Sequence, residues 1–113
     1  MDEALLKVES EQLPNAVVLR AEGEVDSYTA DLLRAKLTEA FGVGLPVVLD
    51  LSDVEFFASI GLSALVEFHQ RGEDSGIPLR LVSPRGSVLR ALKATTLNET
   101  LDLYLDLDAA LHG

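Results

Sequence analysis

The sequence predicts an α/β layer domain, with a mixed four- to five-stranded sheet and about four helices. Short aliphatic and β-branched runs, such as 16–21 and 46–51, alternate with longer stretches whose apolar residues recur at helical spacing. Glycine and proline punctuate the junctions, at Pro14, Gly23, Gly42, Gly44 and Gly76. A chain of 113 residues, 48% hydrophobic, can build one core and is too short for two ordinary ones. Residues 1–113 are therefore read as a single unit.

The segment Ala16-Val17-Val18-Leu19-Arg20-Ala21 lies between Pro14-Asn15 and Gly23 and reads as a strand, with an earlier strand through Leu5 to Val8 as its natural partner. Asp26-Ser27-Tyr28-Thr29 then supplies a helix cap. Tyr28, Leu32, Leu33, Leu37 and Phe41 follow at helical spacing, and Gly42 and Gly44 end that helix. Pro46-Val47-Val48-Leu49-Asp50-Leu51 is a short apolar run, as expected of a central strand buried on both faces. A second helix is expected from Ser59, with Leu62, Leu65, Val66 and His69 on its buried face and Gly72 to Gly76 breaking it.

Ile77 to Val82 reads as the next strand. Ser83-Pro84 places a capping residue before a first-turn proline, and Val88, Leu89 and Leu92 form the buried face of a third helix. Thr100 to Leu105 is expected as an edge strand, and Asp106 caps a final turn or two ending at Leu111. Strands alternating with helices imply a partly parallel sheet with right-handed crossovers.

Composition narrows the function. A formal charge of -10 argues against a surface that attracts nucleic acid or an anionic membrane. The charge is uneven: residues 77–93 carry Arg80, Arg85, Arg90 and Lys93 with no acid, a pattern that fits a solvated face or a docking surface. The chain has no cysteine, so thiolate metal sites and disulfides are excluded. His69 and His112 lack any metal-ligand spacing, and no GxGxxG, GxxxxGK or GxSxG pattern occurs. No cofactor, metal or catalytic set is expected. The start, Met1-Asp2-Glu3-Ala4-Leu5-Leu6-Lys7, lacks a signal-peptide pattern, and no apolar run reaches the ~18 residues of a spanning helix, so a cytoplasmic protein is expected.

One segment stands apart, running from Asp53 through Phe56-Phe57-Ala58-Ser59-Ile60-Gly61-Leu62-Ser63 to Val66. It joins the central strand to the second helix and puts Ser59 at or near a helix N-terminus, where free N–H groups accept a serine cap or stabilise a phosphate. Two roles for Ser59 are open on this reading: a structural cap, or a modified or partner-sensing serine. Asp26 is read as the cap of the first helix, on the same edge.

Together with Gly23-Glu24-Val25-Asp26 and Val48-Leu49-Asp50-Leu51-Ser52, this segment resembles a STAS domain, the family of bacterial anti-anti-sigma factors that also occurs in stressosomes and on sulfate transporters. The resemblance implies a STAS-like fold and a binding switch. An unphosphorylated family member captures an anti-sigma factor, usually a serine kinase, and so frees a sigma factor to direct transcription. Phosphorylation of the STAS serine breaks the complex. The family pattern at this turn is Asp-Ser-Ser/Thr-Gly-Leu, with phosphate received just before the glycine. Here Ala58 replaces the aspartate, Ser59 is kept and Ile60 occupies the acceptor position.

Three outcomes follow: a constitutive binder, a phosphate taken in shifted register by Ser59 or else Ser63, or a branch with another use. The resemblance places the partner contact at Asp26, Ala58, Ser59, Ile60, Gly61, Leu62 and Ser63. The alternative function is a soluble STAS module of a stressosome or of a lipid-transport complex.

Overall fold

The computed structural model describes residues 5–83 and 86–113. A hairpin opens the chain: β1 (Leu6–Gln12) and β2 (Val17–Val25) pair antiparallel, from Leu6 opposite Gly23 to Gln12 opposite Val17. Thereafter every neighbour is parallel. β3 (Val47–Phe57), β4 (Leu79–Val82) and β5 (Asp102–Tyr104) extend the sheet in the order β1-β2-β3-β4-β5. The crossovers are α1 (Ala30–Phe41), α2 (Ser59–Ser75) and α3 (Gly86–Ala94); a 3-10 turn at Leu97–Glu99 precedes β5, and α4 (Leu107–Leu111) follows it.

Alternation along the strands divides the core. Val17, Leu19, Val47, Leu49 and Leu81 meet Leu33 and Leu37 of α1, Leu65 and Phe68 of α2, and Val88 and Leu92 of α3. Their neighbours Val18, Val48 and Val82 point the other way and pack with Ala16 and Ala110, under Leu107 and Leu111 of α4. Successive crossovers of one hand, all stepping in one direction across a parallel sheet, put their helices on one face. The opposite face is left to α4. Val47, Val48 and Leu49 are each 0% exposed, as a strand covered on both faces requires.

Several elements differ from their sequence-based expectations, for packing reasons. β3 does not end at Leu51 but continues to Phe57, because the hairpin's long second strand gives it a partner as far as Val25. In α1 the buried stripe is Ala30, Leu33, Leu37 and Ala40, so Tyr28 precedes the helix and Leu32 faces outward. In α2, Ala64 and Phe68 enter the core, while Val66 is exposed and His69 only half-buried.

Gly72 does not break α2. It is a buried helical position where a Cβ would lie 2.4 Å from the Ile77 carbonyl oxygen, and the helix ends at Gly76, a left-handed cap. α3 buries Val88 and Leu92 but leaves Leu89 half-buried. The Ser83 hydroxyl does not cap it: the helix starts at Gly86, and Ser83 Oγ is buried with no hydrogen-bond partner among the described residues. Pro84 and Arg85 lie outside the described residues.

Candidate functional site

The parallel pairing brings the ends of β2 and β3 together. Val25 pairs with Phe57, and the Ala58 N–H donates to the Val25 carbonyl at 2.8 Å. Both chains leave the sheet at this edge, and both begin a helix there. Asp26 and the first turn of α2 are therefore adjacent, although 32 residues separate Asp26 from Ala58 in sequence.

A reciprocal lock shapes the exit from β2. Asp26 Oδ1 accepts from the Tyr28 N–H at 2.9 Å and the Thr29 N–H at 3.1 Å. Thr29 Oγ1 in turn accepts from the Asp26 N–H at 2.9 Å and donates to the Glu24 carbonyl at 2.8 Å. Helix α1 has Thr29 as its N-cap, and that hydroxyl makes no cap bond because the preceding turn occupies it. Asp26 thus caps the turn that leads into α1, and its own carbonyl accepts from the Ala30 N–H at 2.9 Å, so the expected cap lies three residues before the N-cap position at Thr29. The sequence placed Thr29 in the capping segment but not its reciprocal bond with Asp26, although an Asp followed three residues later by Thr is a local side-chain-to-backbone signature. Asp26→Ala is expected to cost about 1 kcal/mol in chemical denaturation, with Asp26→Asn close to wild type because its amide oxygen still accepts.

The exit from β3 is different. Ala58 is the N-cap of α2, extended at φ -79° and ψ 169°, and has no side-chain oxygen to offer. Its carbonyl accepts from Gly61 at 2.9 Å and Leu62 at 3.3 Å. Ser59 is the first helical residue and is exposed, so the structural-cap role predicted for it is not the one it has: the cap falls one position earlier.

Gly61 fits where no larger residue does. A Cβ there would stand 2.7 Å from Phe57 Cε2 and 2.8 Å from Val25 Cγ1, so its absence lets α2 seat directly on the strand ends. Leu62 is buried beside it.

The first turns of α2 have two flanks. Ser59, Ser63 and Val66 recur at helical spacing and, with Leu62, Thr95 and Leu97, line a shallow groove of about 390 Å³ beside the 3-10 turn. Ile60, 42% exposed, does not line that groove. It shares its side of the helix with Glu67, seven residues on, which pairs with Arg34 of α1. That pair is half-exposed, adds only about 0–1 kcal/mol and bridges α1 and α2. On the far side of β3, Ser87 Oγ donates to the Glu55 carbonyl at 2.6 Å and ties the start of α3 to the same edge.

Of the predicted basic patch, Arg90 and Lys93 are exposed, whereas Arg80 donates to the Ala110 carbonyl at 3.2 Å and so helps hold α4. His112 Nδ1 lies 2.8 Å from the Asp108 carbonyl on α4, remote in sequence from half-buried His69. Among the described residues, no group of three or more His, Asp or Glu side chains is arranged to hold a metal ion. Nor is any described helix long and apolar enough to cross a membrane.

A single antiparallel strand beside a parallel sheet, three helices on one face and a glycine-seated helix start at the strand ends define a mixed α/β module. The STAS domain family model matches residues 7–110, and the chain belongs to that family. It is 35% identical over 99 residues to the "Putative anti-anti-sigma factor Rv2638" of Mycobacterium tuberculosis, covering 85% of this chain and 67% of that protein. It is 28% identical to the anti-sigma-B factor antagonist of Bacillus subtilis, covering 87% of this chain and 90% of that one. The crystal structure of an anti-sigma factor antagonist from Mycobacterium paratuberculosis superposes with a TM-score of 0.86 at 29% identity, over 95% of this chain and 92% of that chain.

Proposed function

We propose that this chain is an anti-sigma factor antagonist: as one unit, residues 1–113, it binds an anti-sigma factor of the serine-kinase type in the cytoplasm and so releases a sigma factor. It acts by binding rather than catalysis. The observation that carries this reading is the shared edge of β2 and β3, where the Asp26 turn and the first turn of α2 are presented side by side. Relatives named for the same role support it.

Within that edge, Asp26, Ala58, Ser59, Ile60 and Ser63 form the proposed contact surface, while Gly61 and Leu62 shape it from below. A hydroxyl is required to receive phosphate, so Ile60 cannot act as an acceptor. Ser59 is the first remaining candidate and Ser63 the second, and both open on the groove flank rather than on the flank of residue 60. A phosphate there adds roughly -1.5 to -2 charges to an acidic chain, a change that opposes a close-packed interface.

The test uses purified components. The chain is mixed with each kinase-type anti-sigma factor of its source organism, preloaded with its sigma factor, and the products are resolved by gel filtration. Displacement of a sigma factor by one of them is expected; failure with all of them sinks the reading. Adding ATP to wild type and Ser59→Ala separates a switched from a constitutive antagonist. Phosphoserine in wild type alone assigns the switch to Ser59, phosphoserine in both moves it to another serine such as Ser63, and none in either makes binding constitutive.

A further inference from the structure

The face that carries Ile60 is not explained by packing. Tyr28 is 88% exposed and Ile60 42% exposed, and neither belongs to the core. Tyr28 is held outward by the Asp26 lock, whose Oδ1 takes its N–H at 2.9 Å. An ordered turn that keeps a tyrosine ring in water gains nothing for folding, since burying the ring would be favourable.

The two residues lie on one edge. α1 and α2 follow neighbouring parallel strands and return across the same face, so they run in the same direction. Arg34 and Glu67 are level with each other. Ile60 lies two helical turns before Glu67, in the first turn of α2, and the turn that bears Tyr28 leaves β2 at Val25, whose carbonyl accepts the Ala58 N–H, so both stand at the same edge.

At this edge the charge is predominantly negative, with Lys7 of β1 lining a pocket beside Glu22, Glu24 and Glu55. Residues 21–33 contain Glu22, Glu24, Asp26 and Asp31 and no Lys or Arg; residues 51–66 contain Asp53 and Glu55 and no Lys or Arg. These two segments are the strand ends and helix starts of this edge. An apolar centre within a polar rim is the anatomy of a protein interface, and aromatic residues are over-represented among its strongest contacts.

Resting on the function proposed above, we propose that Tyr28 and Ile60 are the apolar anchors of partner binding, and that they dock on a patch of the anti-sigma factor which is apolar at its centre and rimmed by Lys and Arg. Ile60 then has a positive role: where a hydroxyl would make this flank a phosphate acceptor, the sec-butyl side chain adds contact area that phosphorylation cannot remove. The acidic rim speeds encounter and selects against acidic partners.

Binding is measured by titration calorimetry and stopped flow against the purified anti-sigma factor that wild type captures. Tyr28→Ala and Ile60→Ala are each expected to weaken binding on the order of tenfold or more, and Ile60→Leu to restore most of it. Val43→Ala, an equally exposed apolar residue just beyond the far end of α1, leaves affinity unchanged. Asp31→Asn with Glu55→Gln lowers the association rate at low salt and flattens its dependence on salt.

Circular dichroism and thermal melts confirm that each variant is folded, which the exposure of both anchors favours. Capture by wild type with both alanine variants within twofold of it overturns the anchor assignment and leaves the proposed function standing. If wild type captures no anti-sigma factor, both fall together.

Discussion

Phe68→Ala is expected to lower the unfolding free energy by about 3–5 kcal/mol, the range for deleting a buried aromatic ring. Phe68 is 1% exposed and sits midway along α2, against the sheet. Its ring meets Phe41 of α1 edge to face, with centroids 5.7 Å apart and planes at 67°, and the Arg71 guanidinium carbon lies 4.7 Å from its centroid. Such contacts add about 0.5–1.5 kcal/mol beyond the area buried. The cavity left by alanine has walls from two helices and the sheet, each held by its own backbone, so little collapse is available to offset the loss.

Urea denaturation is the appropriate measurement, with a fall in midpoint at constant slope as the expected signature. Val66→Ala is the control. Val66 is 39% exposed, so its change should fall within about 0.5 kcal/mol. Comparable losses at the two positions would mean that α2 is rotated from the orientation described.

That contrast also marks where sequence reading worked and where it failed. The central strand was legible because Val47, Val48 and Leu49 are apolar without alternation, and only a strand covered on both faces tolerates that. The order of elements was legible for the same reason, as was the resemblance at the β3–α2 junction. The face of α2 was not. Leu62, Leu65, Val66 and His69 fit one helical stripe nearly as well as Leu62, Leu65 and Phe68 do, and periodicity does not weigh a half-polar histidine against the glycines that complete the true stripe.

Gly72 read as a breaker because glycine lowers helix propensity, yet it is, like Gly61, a buried helical residue where a neighbouring group approaches closely. The candidate edge shows the same division. Asp26 and the segment from Ala58 to Ser63 were named from sequence, since motif spacing is local information. Thr29 and Tyr28 acquired their roles only from hydrogen bonds and exposure that the tertiary fold sets. Tyr28 in particular was placed in the helical repeat, because an aromatic four residues before Leu32 fits the helical period whether or not the helix has started.

Gly61 gives the second large effect, and here two terms of opposite sign compete. Helix propensity alone favours Gly61→Ala by about 1 kcal/mol, because alanine loses less backbone entropy. Packing opposes it. The new methyl would lie 2.7 Å from the Phe57 ring and 2.8 Å from a Val25 methyl, and those residues are 6% and 0% exposed. Neither can swing into solvent, so the helix start must move instead, and overpacking of this kind costs about 1–3 kcal/mol. The packing term should win, leaving Gly61→Ala destabilised by about 1 kcal/mol and Gly61→Val, with two further methyls at the same contact, by about 3 kcal/mol.

A stabilised Gly61→Ala would contradict the close seating of α2 on β2 and β3. The consequence for function follows from the same displacement. The Ala58-to-Val25 hydrogen bond ties the helix start to the neighbouring strand, and lifting the first turn of α2 strains that bond while carrying Ile60 away from the turn of Tyr28. Affinity for the anti-sigma factor should therefore fall in Gly61→Ala by more than its modest loss of stability explains, at temperatures where the variant remains fully folded. Phe68→Leu, which acts on the same helix far from its first turn, should lose stability without that loss of affinity. The pair distinguishes a glycine that positions the contact surface from one that merely supports the fold.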